Sequence, residues 1–599
     1  MPRPPLCRLP QAAALAAAAL SCVPAAAQEG AACPGGVVSE IFIDNQSVFE
    51  VGSPELDPRF NWAYRAANSM HARTRPEVIR RELLFGVGSC YSAVLLEDSE
   101  RILRSSPFIA DADVFAVAQA DGSYHVVVET RDEWSMRLEP QVESGRDFQV
   151  TGLELREDNL LGHGHQVSAY FKEHQGERIY GASYGTRQLL GTHLDAELSL
   201  SRTPVGYGVV QRLSYPFRGE SGRWAFRQQV ERLERNFEYF VPATGGGIER
   251  RFFPEDRRSF DVGGVFRLGR RGNLTLFGMA LAGEWVEYPR STLTPRGDGG
   301  TAADVVADEQ ELVPSPELTG LDTISSVRLV FLAGQRNVYF SRRRALDAVR
   351  GTEDVRLGVE MELGLGRTLQ AFSDDDDLSV DLGFAAAGDL FGGVLAGFRA
   401  EVEGRRDFGA ETGSFEWRNV FGQADAWAYW RPSEESRHTL VAAVSGAGGW
   451  HTTVPFQLTL GSRSGLRGFP THAYPGERRV VASLEHRAYL GWPYPRLFDM
   501  GTAVFVDAGK SWAGGDAFGM DSPVEVDVGV GLRTAFPPGS RRTYRLDIAM
   551  PVTEGFSFSN LVVSFGIGQA VGRRFAGEDP QIRRSSRRIL SASLFSFPN

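Results

Sequence analysis

Apolar and polar residues alternate most clearly in two stretches near residue 500. In 480–490, Val480, Ala482, Leu484, His486, Ala488 and Leu490 share one face; Arg479, Val481, Ser483, Glu485, Arg487 and Tyr489 share the other. A period of two predicts a strand with one mainly apolar and one mainly polar face. Residues 501–509 repeat it, with Thr502, Val504, Val506 and Ala508 set against Gly501, Ala503, Phe505, Asp507 and Gly509. The breaker-rich run 491–496 between them predicts a turn. A hairpin centred near Arg496 places Glu485 opposite Asp507 on the polar face. Opposed carboxylates repel unless a cation lies between them. Arg467, in a loop with Gly465 and Gly468 beside it, is the candidate cation.

From Trp134 onward the same texture recurs in short segments punctuated by Gly, Asp, Asn and Pro: 134–143, 153–162, 166–172, 179–187, 194–201, 224–233, 273–286, 327–340, 355–363, 378–384, 394–403, 419–429 and 439–445. Downstream come 480–490, 502–509, 524–533, 541–550 and 557–568, with 589–597 as a second candidate for the closing strand. A soluble sandwich would alternate in the same way. Residues 134–568 have room for ~16 strands with their loops if they form a transmembrane barrel. Trp430, Trp450, Trp492 and Tyr494 at segment ends resemble an interfacial girdle.

Residues 37–132 have a different order. A strand (37–51) precedes a polar, aromatic stretch (57–73) that Pro58 can open as a helix. A helix over 77–85 follows Pro76, and a second, after Ser92, sets Val94, Leu95, Ile102 and Leu103 against Glu97, Asp98, Glu100 and Arg101. Strands at 108–118 and 124–130 meet at Asp121-Gly122. The expected unit is a small β-α-α-β-β domain.

The ends of the chain set the compartment. Arg3 and Arg8, the apolar run 12–19 and Ala25-Ala26-Ala27 predict a secretory signal over 1–27. No other run has the ~18 apolar residues of a spanning helix. Cys7 and Cys22 leave with the signal. The remaining Cys33 and Cys90 suit one disulfide in an oxidising periplasm, or two free thiols if their Cα atoms stay apart. The 67 Gly and 11% aromatics fit a β-rich chain. Neither 42% hydrophobic residues nor a mean hydropathy of −0.22 argues against a barrel, whose alternation dilutes the signal. The net charge of −11 argues against a nucleic-acid partner.

The loop Leu466-Arg467-Gly468-Phe469, Glu485 in the next strand and Phe505-Val506-Asp507-Ala508-Gly509 in the one after resemble the outer-membrane assembly and secretion pore superfamily, which includes BamA, TamA and the two-partner secretion transporters. The resemblance implies a mainly β fold: a transmembrane antiparallel β-barrel over 134–571, preceded by one POTRA-like periplasmic α+β domain over 37–132. It implies that the Arg467-Gly468-Phe469 loop tucks inside the barrel and that Arg467 binds Glu485 and Asp507 on its wall. Leu161-Gly162-His163-Gly164 is similar to a turn of the family's opening hairpin. The implied function, in the bacterial outer membrane, is to insert or translocate β-rich proteins without cofactor or ATP. Unfolded outer-membrane or secreted β-rich clients, outer-membrane lipid and periplasmic accessory proteins are the implied partners. A dedicated secretion pore and a passive porin or surface receptor are the alternatives. The family usually ends with the last strand and a terminal aromatic. Here Val571 stands at that point, and 572–599 form a tail of no assigned role. In a wet lumen the Arg467 contacts are expected to contribute ~1–3 kcal/mol.

Enzyme signatures are missing. His163 and His165 share a strand face but have no identifiable third ligand. Asp374–Asp377 lack the spaced ligands and Gly of a calcium loop and suit a solvated turn. Gly364-Leu365-Gly366 lacks the helix and Lys of a phosphate loop. A non-enzymatic protein with no metal site is expected.

Overall fold

In the computed structural model, residues 33–586 are described apart from 54–55, 144–148, 175–176, 243–246, 289–293, 296–320, 409–415, 492–496, 517, 554, 556 and 573–578. The expected signal (1–27) and the alternative closing strand (589–597) lie outside the described residues.

The first unit contains β1 (Val38–Gln46), α1 (Asn61–Met70), α2 (Pro76–Glu82), α3 (Ala93–Ser105), β2 (Ile109–Ala118) and β3 (Tyr124–Asp132). Its sheet order is β1-β3-β2, with β1 parallel to β3 and β2 antiparallel to it. A parallel pair needs a long crossover, and the helices lie within it. The 57–73 stretch supplies α1, entered through a turn in which the Asp57 carboxylate accepts from the Arg59 amide. Val38, Ile79, Leu83, Leu96, Leu103, Phe108, Val126 and Val128 form the core. Cys33 and Cys90 are bonded (S–S 2.02 Å, Cα–Cα 5.2 Å). This cross-link ties the chain ahead of β1 to the segment ahead of α3. Thiol labelling of denatured, unreduced protein should therefore modify neither cysteine. Cys33→Ser with Cys90→Ser should lower the unit's stability by about 2–4 kcal/mol, read from the urea midpoint of its unfolding.

The polar side of α3 does not face solvent as its pattern suggests. Asp98, Glu100, Arg101 and Arg104 are all buried, because this side packs on one rim of the second unit. Arg104 bonds Asp354 through Nε and Nη2 (2.9 and 2.7 Å), Glu100 at 2.5 Å and the Ala112 carbonyl at 2.7 Å. Arg101 lies 3.8 Å from the Phe340 ring centroid. The Glu220 amide donates to Asp98 at 2.7 Å.

Among the described residues the second unit is one antiparallel sheet of 20 strands, from Met136–Glu143 to Val562–Ile567, leaving aside the two-residue Thr294–Pro295. The count corrects the expectation of about 16. Apart from 589–597, every segment named from the alternation overlaps one strand, and two more join them, Gly206–Tyr215 and Ile248–Arg270. The sheet order returns to its start, with the last strand beside the first. Strands near this seam are short: Met136–Glu143 has 8 residues, Tyr544–Pro551 has 8 and Val562–Ile567 has 6. Far from the seam, Ile248–Arg270 has 23 and Ile324–Arg344 has 21. The closing strand starts at Val562 rather than 557, because a 3₁₀ turn, Phe558–Asn560, precedes it.

The two faces of the sheet are inverted relative to a soluble sandwich. Apolar side chains point outward: Leu484 is 49% exposed, Val504 57% and Val530 55%. Polar side chains of the same strands, including Glu485, Asp507, Arg533 and Asp547, are fully buried on the inner face. Exposed tryptophans mark strand ends on both rims. Trp224 and Trp430 lie on the rim nearer the first unit; Trp417, Trp450 and Trp512 lie on the other. Trp430 and Trp450 thus belong to opposite rims. Trp492 and Tyr494 lie outside the described residues.

Candidate functional site: an inward loop on a charged anchor

The connection from Trp450 to Arg478 joins two adjacent strands but does not stay at the rim. Its short hairpin, Leu458–Leu460 with Tyr474–Gly476, lies inside the sheet, and most of 454–469 is buried. Gln457 reaches across to the strand Trp224–Pro242, accepting from the Phe240 amide (2.7 Å) and donating to its carbonyl (3.1 Å). His472 stacks on the Phe240 ring at 3.8 Å. Leu460, Leu466, Phe469 and Val481 form an apolar cluster that seats the loop on the wall.

That cluster holds Arg467 with 1% of its surface exposed. Its Nε and Nη2 donate to the two Asp507 oxygens (2.7 and 2.9 Å), and its Nη1 donates to Glu485. The guanidinium lies 3.4 Å from the centroid of the Phe505 ring. A planar five-donor fork suits this arrangement, in which two carboxylates and an aromatic face are engaged together.

Glu485 and Asp507 are not directly opposite. The hairpin pairs Leu490 with Met500 and Val481 with Gly509, so it centres on Pro495; Glu485 faces Phe505 and Ser483 faces Asp507. A two-residue change of register keeps every side chain on its face, so the acids become diagonal neighbours. Asp507 is instead directly opposite Asp527, also fully buried. The wet, partly solvated pair expected from the sequence is also corrected. Inward loop and wall together cover Arg467, Glu485 and Asp507 completely.

Around this trio lies a network that the sequence reading did not assemble. Arg487 donates to Glu485 (2.7 Å), the Leu346 carbonyl (2.5 Å) and the Val571 carbonyl (2.6 Å). Arg533 donates to Asp547 (2.5 Å), Glu485 (3.3 Å) and Gln569 (2.9 Å), and Arg545 to Asp547 (2.7 Å). Arg487, Arg533 and Asp547 share the inward parity of Glu485 and Asp507. Extending that parity from strand to strand is the signal that finds them.

Gly468 is required by close approach. A Cβ there would lie 2.5 Å from the Asp527 Cβ and 2.9 Å from the Met550 carbonyl carbon. Gly468→Ala must therefore lift the loop from a wall that cannot yield. Destabilisation of about 1–3 kcal/mol is expected, seen as an earlier urea midpoint and faster hydrogen exchange in 458–476. Unchanged exchange there would contradict this seating of the loop.

His163 and His165 lie with ring centroids 5.9 Å apart, and His165 bonds the Tyr184 hydroxyl at 2.8 Å. Of the aspartate run, Asp377 engages Arg328 through both oxygens (2.8 and 2.6 Å), so this end is buried structure and not a solvated turn. No group of three metal-ligating side chains occurs among the described residues.

No protein-family model matches the chain, and no curated protein sequence matches it. Solved structures similar to it include BamA from Haemophilus ducreyi lacking POTRA domains 1-3, at 14% identity over 88% of this chain and 84% of that one, with a TM-score of 0.34. CdiB from Acinetobacter baumannii is 12% identical over 89% and 74% of the two chains, with a TM-score of 0.39. CdiB from Escherichia coli is 12% identical over 89% and 76%, with a TM-score of 0.38.

Proposed function

We propose that this chain is an outer-membrane β-barrel of the assembly and secretion pore superfamily, working without enzymatic chemistry to place β-rich client proteins in or across the membrane. The inward loop anchored through Arg467 on Glu485 and Asp507 carries this reading. It is the arrangement that the Leu-Arg-Gly-Phe motif implies, and it braces the strands leading to the seam. The outward apolar face, with tryptophans at both rims, supports a closed barrel in lipid. The first unit is then a periplasmic POTRA-like domain seated on one mouth.

The short strands flanking the seam support assembly by strand pairing. Few backbone hydrogen bonds can hold such strands together, and a parted seam offers donors and acceptors to a client strand. A passive porin is disfavoured by an interior crossed by the Gln457–His472 loop.

Depletion of the protein tests the reading. Loss of many outer-membrane proteins is expected. Loss of one exported protein alone would move the assignment to a dedicated secretion pore, and an unchanged outer-membrane proteome would contradict it.

A further inference from the structure

Two described stretches beyond the last strand, 568–572 and 579–586, lie on the inner side of the sheet. Val571 is buried among Leu346, Trp427, Tyr429 and Val441, and its carbonyl accepts from Arg487. Residues 579–586, including helix α4 (Pro580–Ser585), then lie against the inward loop and the inner wall.

This seat is specific at almost every residue. Arg479 forms an ion pair with Asp579 and bonds the Gln581 Oε1 at 2.5 Å. Gln581 also accepts from the Thr459 amide (2.8 Å) and donates to the Thr459 hydroxyl (2.7 Å). Ile582 is buried among Val286, Ile324, Phe421, Phe456 and Leu458. Arg584 lies over the Phe237 ring (4.7 Å) and donates to the Gln457 carbonyl, while its own carbonyl accepts from Arg235 at 2.8 Å. Ser586 donates to Glu403 at 3.0 Å.

Arg235 and Arg479, which grip the segment from two sides, lie close to half-way round the strand order from each other. The segment thus bridges distant walls. A solvated arginine-rich tail has no reason to bury an isoleucine and pair an aspartate inside. Burying Asp579 beside Arg479 is favourable only with good geometry and full hydrogen bonding, which is what a built site supplies.

We propose that this cross-lumen cleft is a peptide-binding site filled in cis, and that residues 579–586 are a displaceable plug that closes the pore at rest. The site takes a short peptide with an acidic residue, an amide two positions on and an aliphatic residue next, matching Arg479, Thr459 and the Ile582 pocket. An incoming client segment of that chemistry would compete for it. The proposal rests on the reading of the sheet as a membrane-spanning pore.

The test is planar-bilayer conductance of the full chain, of a chain ending at Gly572 and of full-length Ile582→Asp, with a synthetic 573–599 peptide added back. Truncation is expected to raise conductance several-fold, and Ile582→Asp to raise opening frequency without removing any chain. The peptide should return the truncated pore towards its resting conductance, but not when that pore also carries Arg479→Ala. Equal conductance of the full chain and both variants would overturn the plug. A peptide effect that ignores Arg479→Ala would overturn the cleft as its site. Absence of channels from all of these proteins would instead overturn the pore reading beneath it.

Discussion

Arg467→Ala is expected to remove most client assembly while the barrel still reaches the membrane. Asp507 loses both bonds of a bidentate contact, and Glu485 loses one of its three arginine partners. Both carboxylates stay buried. Removing one side of a buried ion pair costs about 3–5 kcal/mol, chiefly through the charge left behind. Here it falls mainly on Asp507, already opposite Asp527. The inward loop should lose its seat even though Leu466 and Phe469 keep their apolar contacts. Arg467→Lys should be intermediate, since an ammonium keeps the charge but not the fork. Glu485→Gln with Asp507→Asn should reproduce the defect. Adding Arg467→Ala to that double variant should cost little more, because members of one network are not additive. Of the other carboxylates near Arg467, Asp547 at 3.9 Å is already shared by Arg533 and Arg545. Complementation at matched expression measures this series. Full activity of Arg467→Ala, or strictly additive losses, would remove the anchor from the mechanism.

Arg104→Ala is the second large effect and acts at the other interface. Arg104 is 2% exposed and ties α3 to Asp354 of the strand Thr352–Thr368 through two bonds, while also holding Glu100 and the Ala112 carbonyl within its own domain. Its loss leaves Asp354 and Glu100 without that cation, at an expected cost of about 3–5 kcal/mol to the docked arrangement. The disulfide and the core around Leu103 should keep the domain folded. The expected outcome is faster hydrogen exchange along α3 and in 340–354, with protection of β3 unchanged, together with reduced client assembly. Unchanged protection of α3 would contradict docking through this contact. Loss of protection in β3 would mean that Arg104 holds the domain's own fold rather than its seat.

What the sequence made legible follows from parity. Alternation alone places Glu485 and Asp507 on one side of a sheet, because a strand has only two faces; the inward course of Arg467's loop comes from the resemblance. The partner across the hairpin depends on the turn: a centre at Pro495 rather than Arg496 sets Ser483, not Glu485, opposite Asp507, while Asp527 faces it from the following strand. Ile248–Arg270 was missed as a strand because Arg250, Arg251, Arg257 and Arg258 put charge at both parities and Pro254 interrupts it. Helix α3 looked amphipathic in the ordinary sense, since no local pattern distinguishes a solvated charged side from one docked on another unit's arginines and acids. For the same reason Asp579–Ser586 falls in a tail with no assigned role, although its aspartate and isoleucine have partners a hundred residues or more away.

The central claim is tested most directly with purified protein in lipid vesicles. Unfolded small β-barrel client is added, and the rate at which it becomes protease-protected is followed. Vesicles carrying the wild-type chain should fold the client well above the rate of empty vesicles, and those with an equal amount of inserted Arg467→Ala should fall back close to that background. Equal rates with and without the protein would contradict the account.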